Sequence, residues 1–173
     1  GYLLQLLAAE GPGIGEIVDL GSATGRATCY LARGAQTMHR EQVTAVDTFD
    51  GTSMPEFKDL EDGSMADVYL RNITAAGVAG HIETVMKPPE SAHSEWDKPL
   101  RLLFIDGDHS YEATRAKFEG WTPHLVPGGI VVLHEATNQA GVGAFLKEVL
   151  EGPSGYEFVL SVNSMVLLQK KGD

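Results

Sequence analysis

Short, continuous apolar runs alternate along this chain with longer stretches whose apolar positions recur every three to four residues. The first kind reads as buried strand and the second as amphipathic helix. GYLLQLLAAE predicts a helix with Leu3, Leu4, Leu6 and Leu7 on a broad apolar face, stopped by Gly-Pro-Gly at 11–13. EIVDL at 16–20 is a strand, GSATG at 21–25 a turn, and the residues to about Ala35 a helix. QVTAV at 42–46 is a second strand ending in Asp47. Turn formers and acids fill 48–63, a loop with room for a short helix. MADVYLRNITAAG predicts a helix with Val68 and Ile73 inward and Gly77 as its stop. HIETVM at 81–86 is a third strand, and PPESAHSEWDKP is irregular or at most a brief helix. LLFI at 102–105 is a fourth strand, apolar throughout as a strand covered on both faces should be. YEATRAKFEGW is a helix carrying Tyr111, Thr114 and Phe118 on one face. VPGG at 126–129 is a turn, IVVL at 130–133 a fifth strand and GVGAFLKEVLEG a helix. YEFVLSV and SMVLLQKK are strands joined near Asn163.

Strands alternating with helices predict an α/β domain: a mostly parallel sheet with helices on both faces. The last two strands leave no room for a crossover helix, so they form an antiparallel hairpin at one edge. The 173 residues, 43% of them hydrophobic, suit one compact domain spanning 1–173. The helix within 1–13 is expected to be the remnant of a truncated N-terminal extension, because the chain opens on Gly1. A formal charge of −11 repels phosphate backbones, so no nucleic-acid partner is expected, although a local basic patch could hold an anionic substrate. Cys29 is the only cysteine, which rules out an intrachain disulfide and fits a reducing compartment. No apolar run approaches ~18 residues, and the N-terminus lacks a leader pattern. No membrane partner is expected, and a cytoplasmic location is the default.

Candidate chemistry gathers where parallel sheets place it, at the C-terminal ends of the strands. Gly21 directly follows the first strand and Gly25 opens the next helix. Glycines there let the backbone turn sharply beside a ligand, and the helix start offers unpaired N–H groups. The run is neither GxGxxG nor a Walker loop, and alone it is a weak signal. Asp47 adds an acid able to accept hydrogen bonds from two ribose hydroxyls; capping of its own loop is the other reading. Asp19 could order the turn or attract a cationic ligand centre. Asp106, Asp108, His109, His134 and Glu135 follow the fourth and fifth strands. Such a set could hold a divalent ion that lowers a substrate hydroxyl's pKa, with an Asp or His taking the proton. An acidic cleft edge without metal is the alternative. His39, His81, His93 and His124 show no ligand spacing, and Cys29 reads as a small core residue.

EIVDLGSATGRAT, VTAVDTFDG, LLFIDGDHSYEATRAKFEGWTPHLVPGGIVVLHE and the terminal hairpin together resemble a class I S-adenosylmethionine-dependent methyltransferase with a Rossmann-like fold. More narrowly, the chain is similar to a small methyltransferase family marked by FIDGDHSYE and PGG and, more distantly, to macrocin-type sugar O-methyltransferases. The resemblance implies a seven-stranded sheet in the order 3-2-1-4-5-7-6. It implies Gly21, Ser22 and Gly25 around the methionine end of S-adenosylmethionine, Asp47 at the ribose, and Glu90 or Ser91 near the adenine, with Asp19 counted among the cofactor-binding residues from its place before the turn. It further implies a Mg²⁺ or Mn²⁺ site at Asp106, His134 and Glu135, where relatives often carry an Asp in place of His134. Asp108 matches the base proposed in those relatives.

Methyl transfer needs an in-line attack and a base or metal for a hydroxyl nucleophile. Asp106 and Glu135 would place the acceptor oxygen, and Asp108 or His109 would take its proton, unless His109 caps the following helix. Tyr111 and Trp121 read as packing residues. Phe49, Met54 and Phe57 either cover the substrate or anchor their own loop. The acceptor expected is a small hydroxylated metabolite or sugar, and a homodimer completing the site is reasonable. The competing readings are a cofactor-binding or scaffold module without turnover and a nicotinamide oxidoreductase. The latter leaves the terminal hairpin and IDGDHSYE unexplained.

Overall fold

The protein, described by a computed structural model over residues 1–51 and 63–172, has seven strands among those residues, forming one sheet in the order β3-β2-β1-β4-β5-β7-β6. The strands are β1 Glu16–Leu20, β2 Val43–Asp47, β3 Ile82–Met86, β4 Leu100–Ile105, β5 Leu125–Leu133, β6 Tyr156–Val162 and β7 Met165–Lys170. The helices are α1 Tyr2–Glu10, α2 Arg26–Thr37, α3 Met65–Ala75, α4 Pro89–Ala92, α5 Tyr111–Trp121 and α6 Ala140–Glu151. β1 to β5 pair in parallel, and β7 runs antiparallel between β5 and β6. Side-chain alternation divides the core into two layers. Ile17, Val43, Ala45, Phe104 and Val132 face α1, α2 and α3, while Val18, Leu20, Val46, Leu103 and Leu133 face α4, α5 and α6.

Several expectations shift. In α1 the buried residues are Leu4 and Ala8, one turn apart, while Leu6 on the far side is exposed. The inner face of α3 is Met65, Tyr69 and Ile73, with Val68 only half-buried. Its start is set by a capping box in which Ser64 and Asp67 exchange hydrogen bonds. β5 starts at Leu125, not Ile130, because VPGG is drawn into the strand as an irregularity: Leu100 pairs with Leu125 but Leu102 with Ile130. Phe49 is buried against Tyr69, ring centroids 4.5 Å apart, so it anchors its loop to the core. The short helix expected within 48–63, and Met54 and Phe57 as covering residues, lie outside the described residues. No helix among the described residues is long and apolar enough to cross a membrane.

α1 is tied to the sheet by one buried cation. Arg101 in β4 donates to the Leu7 carbonyl at 3.0 Å, to the Ala8 carbonyl and to the Glu41 carboxylate. These acceptors complete the C-terminal turn of α1, whose last carbonyls have no partner within the helix. Arg101→Met should lower the unfolding free energy by about 3 kcal/mol, since it removes the buried ion pair with Glu41 and leaves the Ala8 carbonyl without its donor, while Leu7 keeps the Gly11 N–H and Glu41 keeps Arg40. Urea denaturation checks this through a lower midpoint with an unchanged slope.

Candidate active site at the strand ends

Three backbone hydrogen bonds continue the sheet just past its strands. Gly21 N–H donates to the Val46 carbonyl at 2.9 Å, Asp106 N–H to Leu20 at 2.9 Å, and His134 N–H to Ile105 at 3.0 Å. They hold the turns after β1, β2, β4 and β5 in step. Gly21 has φ +80°, and a Cβ there would lie 2.7 Å from the Asp106 backbone. Only glycine therefore lets the first turn lie against the fourth strand's end. Gly25 begins α2 at φ +84°, its Cα face against Tyr69.

Left-handed non-glycine residues collect at this edge: Ala23 at φ +46°, Phe49 at +56° and Glu135 at +56°. Such strain is kept only where surrounding contacts over-determine it. Asp47 supplies two of those contacts. Its Oδ2 accepts the Ala23 N–H at 3.0 Å and its Oδ1 the Phe49 N–H at 2.7 Å. The carboxylate caps its own loop and also holds the glycine turn, with a lone pair left on each oxygen.

Asp19 is fully buried on the α2 side of β1. Thr28 donates to its Oδ2, Ser22 donates to its main-chain carbonyl at 3.1 Å, and Oδ1 has no hydrogen-bond partner. Burial pushes the Asp19 pKa up to about 7, the Thr28 bond opposing and Asp106 adding repulsion. The unpaired oxygen lies behind the left-handed glycine turn, where a positive charge would offset the cost of burying the carboxylate.

On the next strand, Asp106 Oδ1 accepts the Gly107 N–H at 2.8 Å, lies 3.0 Å from His134 Nδ1 and 3.7 Å from His109 Nε2. His134 Nε2 lies 3.5 Å from Glu135 Oε1. Asp106 raises the His134 pKa against the opposing effect of burial. Asp108 Oδ1 accepts the Ser110 N–H at 2.8 Å, which holds its carboxyl below the ordinary range and weakens it as a base. The cap of α5 is Ser110, whose hydroxyl accepts the Ala113 N–H, so His109 does not cap that helix. Ser91 is turned into its own loop, donating to the Pro88 carbonyl at 3.3 Å, while Glu90 projects toward α5. A cleft of about 230 Å³ opens beside Asp106 and His134, walled by Arg26, Tyr30, Phe104 and Ser164. Tyr111 packs on Phe145, and Trp121 is buried, its Nε1 donating to the Pro89 carbonyl at 2.8 Å.

The metal expectation meets a poorly suited donor set. Among the described residues no group of three or more His, Cys, Asp or Glu side chains is arranged to hold an ion. The His134 ring stands between the Asp106 and Glu135 carboxylates, each of its nitrogens directed to one of them. With an imidazole set between them, the two carboxylates do not converge on a shared point for a cation, although His134 Nδ1 makes no hydrogen bond.

Lys117 escaped the sequence reading although its signal was present. Thr114, Lys117, Phe118 and Trp121 occur at i, i+3, i+4 and i+7 of α5, and all four are buried. A lysine on that apolar stripe needs acceptors, and it finds them beneath the β4 turn.

Residues 18–136 match a family described as a methyltransferase domain. The fold is similar to cofactor-bound Rv0187 from MTB, with a TM-score of 0.75 at 20% identity over 99% of this chain and 79% of that one. It is similar to CalS11, a TDP-rhamnose 3′-O-methyltransferase of calicheamicin biosynthesis, with a TM-score of 0.67 at 20% identity over 96% and 76%. An rRNA methylase from Streptococcus thermophilus aligns with a TM-score of 0.63 at 15% identity over 99% and 94%.

Asp19 makes stability pH-dependent with a definite sign. Its folded pKa of about 7 lies above the ordinary 3.8, so the folded state holds the extra proton between those values. Stability therefore falls as pH rises from 4 to 7. Compared with Asp19→Asn, the wild-type protein should lose at most about 4 kcal/mol over that window. Urea unfolding of both proteins at pH 4 and pH 7 measures the difference.

Proposed function

Because the chain belongs to the methyltransferase-domain family and is an S-adenosylmethionine-dependent methyltransferase of the class I fold, we propose that it methylates a hydroxyl of a small metabolite or sugar. The observation that carries this reading is the placement of Asp106 beside two imidazoles, in register with the Gly21 turn. The narrower kinship with the FIDGDHSYE family and with macrocin-type sugar O-methyltransferases belongs to the same proposal. So does the reading of residues 1–173 as a single catalytic domain.

In this reading Asp47 holds the ribose through its remaining lone pairs, Glu90 borders the adenine, and Asp19 with the Gly21–Gly25 turn receives the methionine end. When bound, the cofactor supplies an electrophilic methyl group on a sulfonium. The acceptor enters the cleft beside Arg26 and Tyr30, and its oxygen lies against Asp106. His109 takes the hydroxyl proton as the oxygen attacks, since Asp108 is committed to the turn and weakened as a base. With the cofactor bound, transfer would form the oxygen–carbon bond at the expense of the carbon–sulfur bond, giving a methyl ether and S-adenosylhomocysteine. Asp106 and His134 keep His109 and the acceptor aligned. The mismatch of the Asp106, His134 and Glu135 donors with an ion leaves no step that runs through Mg²⁺ or Mn²⁺. The formal charge of −11 speaks against an RNA acceptor.

Isothermal titration with S-adenosylhomocysteine should show saturable binding that Asp47→Ala weakens at least about tenfold. Transfer of labelled methyl from S-adenosylmethionine to a panel of small phenols, sugars and hydroxy acids should identify the acceptor class. With that acceptor, Asp106→Asn and His109→Ala should each lower turnover about 100-fold or more, far beyond their effect on cofactor affinity. Full turnover in both variants sinks the assignment. EDTA should leave the wild-type rate within about twofold, and a strict requirement for added Mg²⁺ or Mn²⁺ would overturn the metal-free reading.

A further inference from the structure

The β4–α5 turn is gripped from below by a charge that the proposed reaction does not use. Lys117 is only 1% exposed. Its Nζ donates to the Asp106 carbonyl at 2.6 Å and to the Asp108 carbonyl at 3.1 Å, and stands 4.0 Å from Glu90 Oε1 on α4. A Cβ on Gly107 would lie 3.7 Å from that Nζ and 3.5 Å from the Gly21 Cα. The turn thus lies between the glycine turn after β1 and the Lys117 ammonium.

This arrangement is costly. The neighbours of Lys117 on α5 are Phe118 and Trp121, and a methionine would fill the stripe without desolvating a charge. Burial pushes the lysine's pKa down, while Glu90, Asp106, Asp108 and Asp47 oppose that shift. The ammonium also does what a methionine cannot. By drawing the carbonyls of Asp106 and Asp108 inward, it fixes the turn from which the Asp106 side chain and His109 project. The Glu90 carboxylate, on the short helix that follows β3, stands 4.0 Å from the ammonium as an ion pair without a direct hydrogen bond.

We propose that Lys117 is a positioning residue. It ties α4, on the cofactor side, to the turn 106–109, on the acceptor side, so that the two move as one unit. The role given to Asp106 and His109 rests on the function proposed above, whereas the mechanical link from Lys117 to them does not.

The test uses the full chain with ¹³C-labelled histidine. Imidazole ¹H–¹³C spectra report on His109 and His134 without any acceptor. Lys117→Met should keep the wild-type circular dichroism, shift both imidazole signals and weaken S-adenosylhomocysteine binding about tenfold. Lys117→Arg, which keeps a buried donor, should recover affinity to within about threefold of wild type. A folded Lys117→Met protein with wild-type imidazole signals and affinity would overturn the proposal. Should Lys117→Met fail to fold, Glu90→Gln decides. That residue is half-exposed, and removing its charge should shift the His109 signal through Lys117; an unmoved signal would overturn the link. Wild-type imidazole signals and affinity in folded Lys117→Met would refute the role of Lys117 alone, while full methyl transfer by Asp106→Asn and His109→Ala would refute the catalytic reading alone.

Discussion

The site depends on three backbone hydrogen bonds that run across the strand ends, from Gly21 to Val46, from Asp106 to Leu20 and from His134 to Ile105. Parallel strands carry their connections over the sheet faces, so nothing else obliges their C-terminal turns to end at one level. These bonds impose that level. Once the first turn lies against the Asp106 backbone, the starting points of the β1, β4 and β5 turns are set relative to one another. Asp47 adds the second restraint, clamping two left-handed residues from neighbouring turns with one carboxylate. The sheet therefore sets where Asp47, Asp106 and His134 start, and the turns beyond it carry the rest of the site.

Buried charges of opposite sign flank this edge. Asp19 lies on the α2 side of the sheet with an oxygen unmatched, and Lys117 on the α5 side beneath the turn. Each is shifted toward neutrality by burial, and each is partly compensated by polar partners placed for the purpose, Thr28 for the acid and main-chain carbonyls for the base. The pair sets a local field across the strand ends in a chain whose surface is strongly acidic. Groups buried this way contribute little net stability and are better understood through the orientation they enforce.

Most of the sheet was legible because doubly covered strands must be apolar throughout, and LLFI, VTAV and IVVL have no other use. The hairpin was legible because YEFVLSV and SMVLLQKK are too close for a crossover. The helix faces were harder to read. Leu6 of α1 is as apolar as Leu4, and only the position of the sheet decides which one is covered. The start of β5 was hidden because Pro-Gly-Gly reads as a turn, while tertiary pairing absorbs it as a strand irregularity. At the site, Asp47 and Asp106 followed from their places after strands. The grip of Asp108 on Ser110 and the approach of His134 to Asp106 depend on side-chain rotamers that spacing does not encode. Lys117 could have been found by asking what a lysine was doing on an apolar stripe.

The interposed β7 has a consequence for how the chain comes to be made. β5 is complete at Leu133, but its free edge is closed only by Val166–Gln169, which follow a whole helix and another strand. In synthesis from the N-terminus, β1 to β5 emerge before the hairpin, so the Ile130–Leu133 edge has no native partner until β7 has been made. That apolar edge is a template for pairing with any other extended segment until the hairpin arrives. Ser164, which walls the cleft and accepts the Ala136 N–H, arrives at the same moment. The covering of that edge and the completion of the cleft thus depend on the same terminal hairpin.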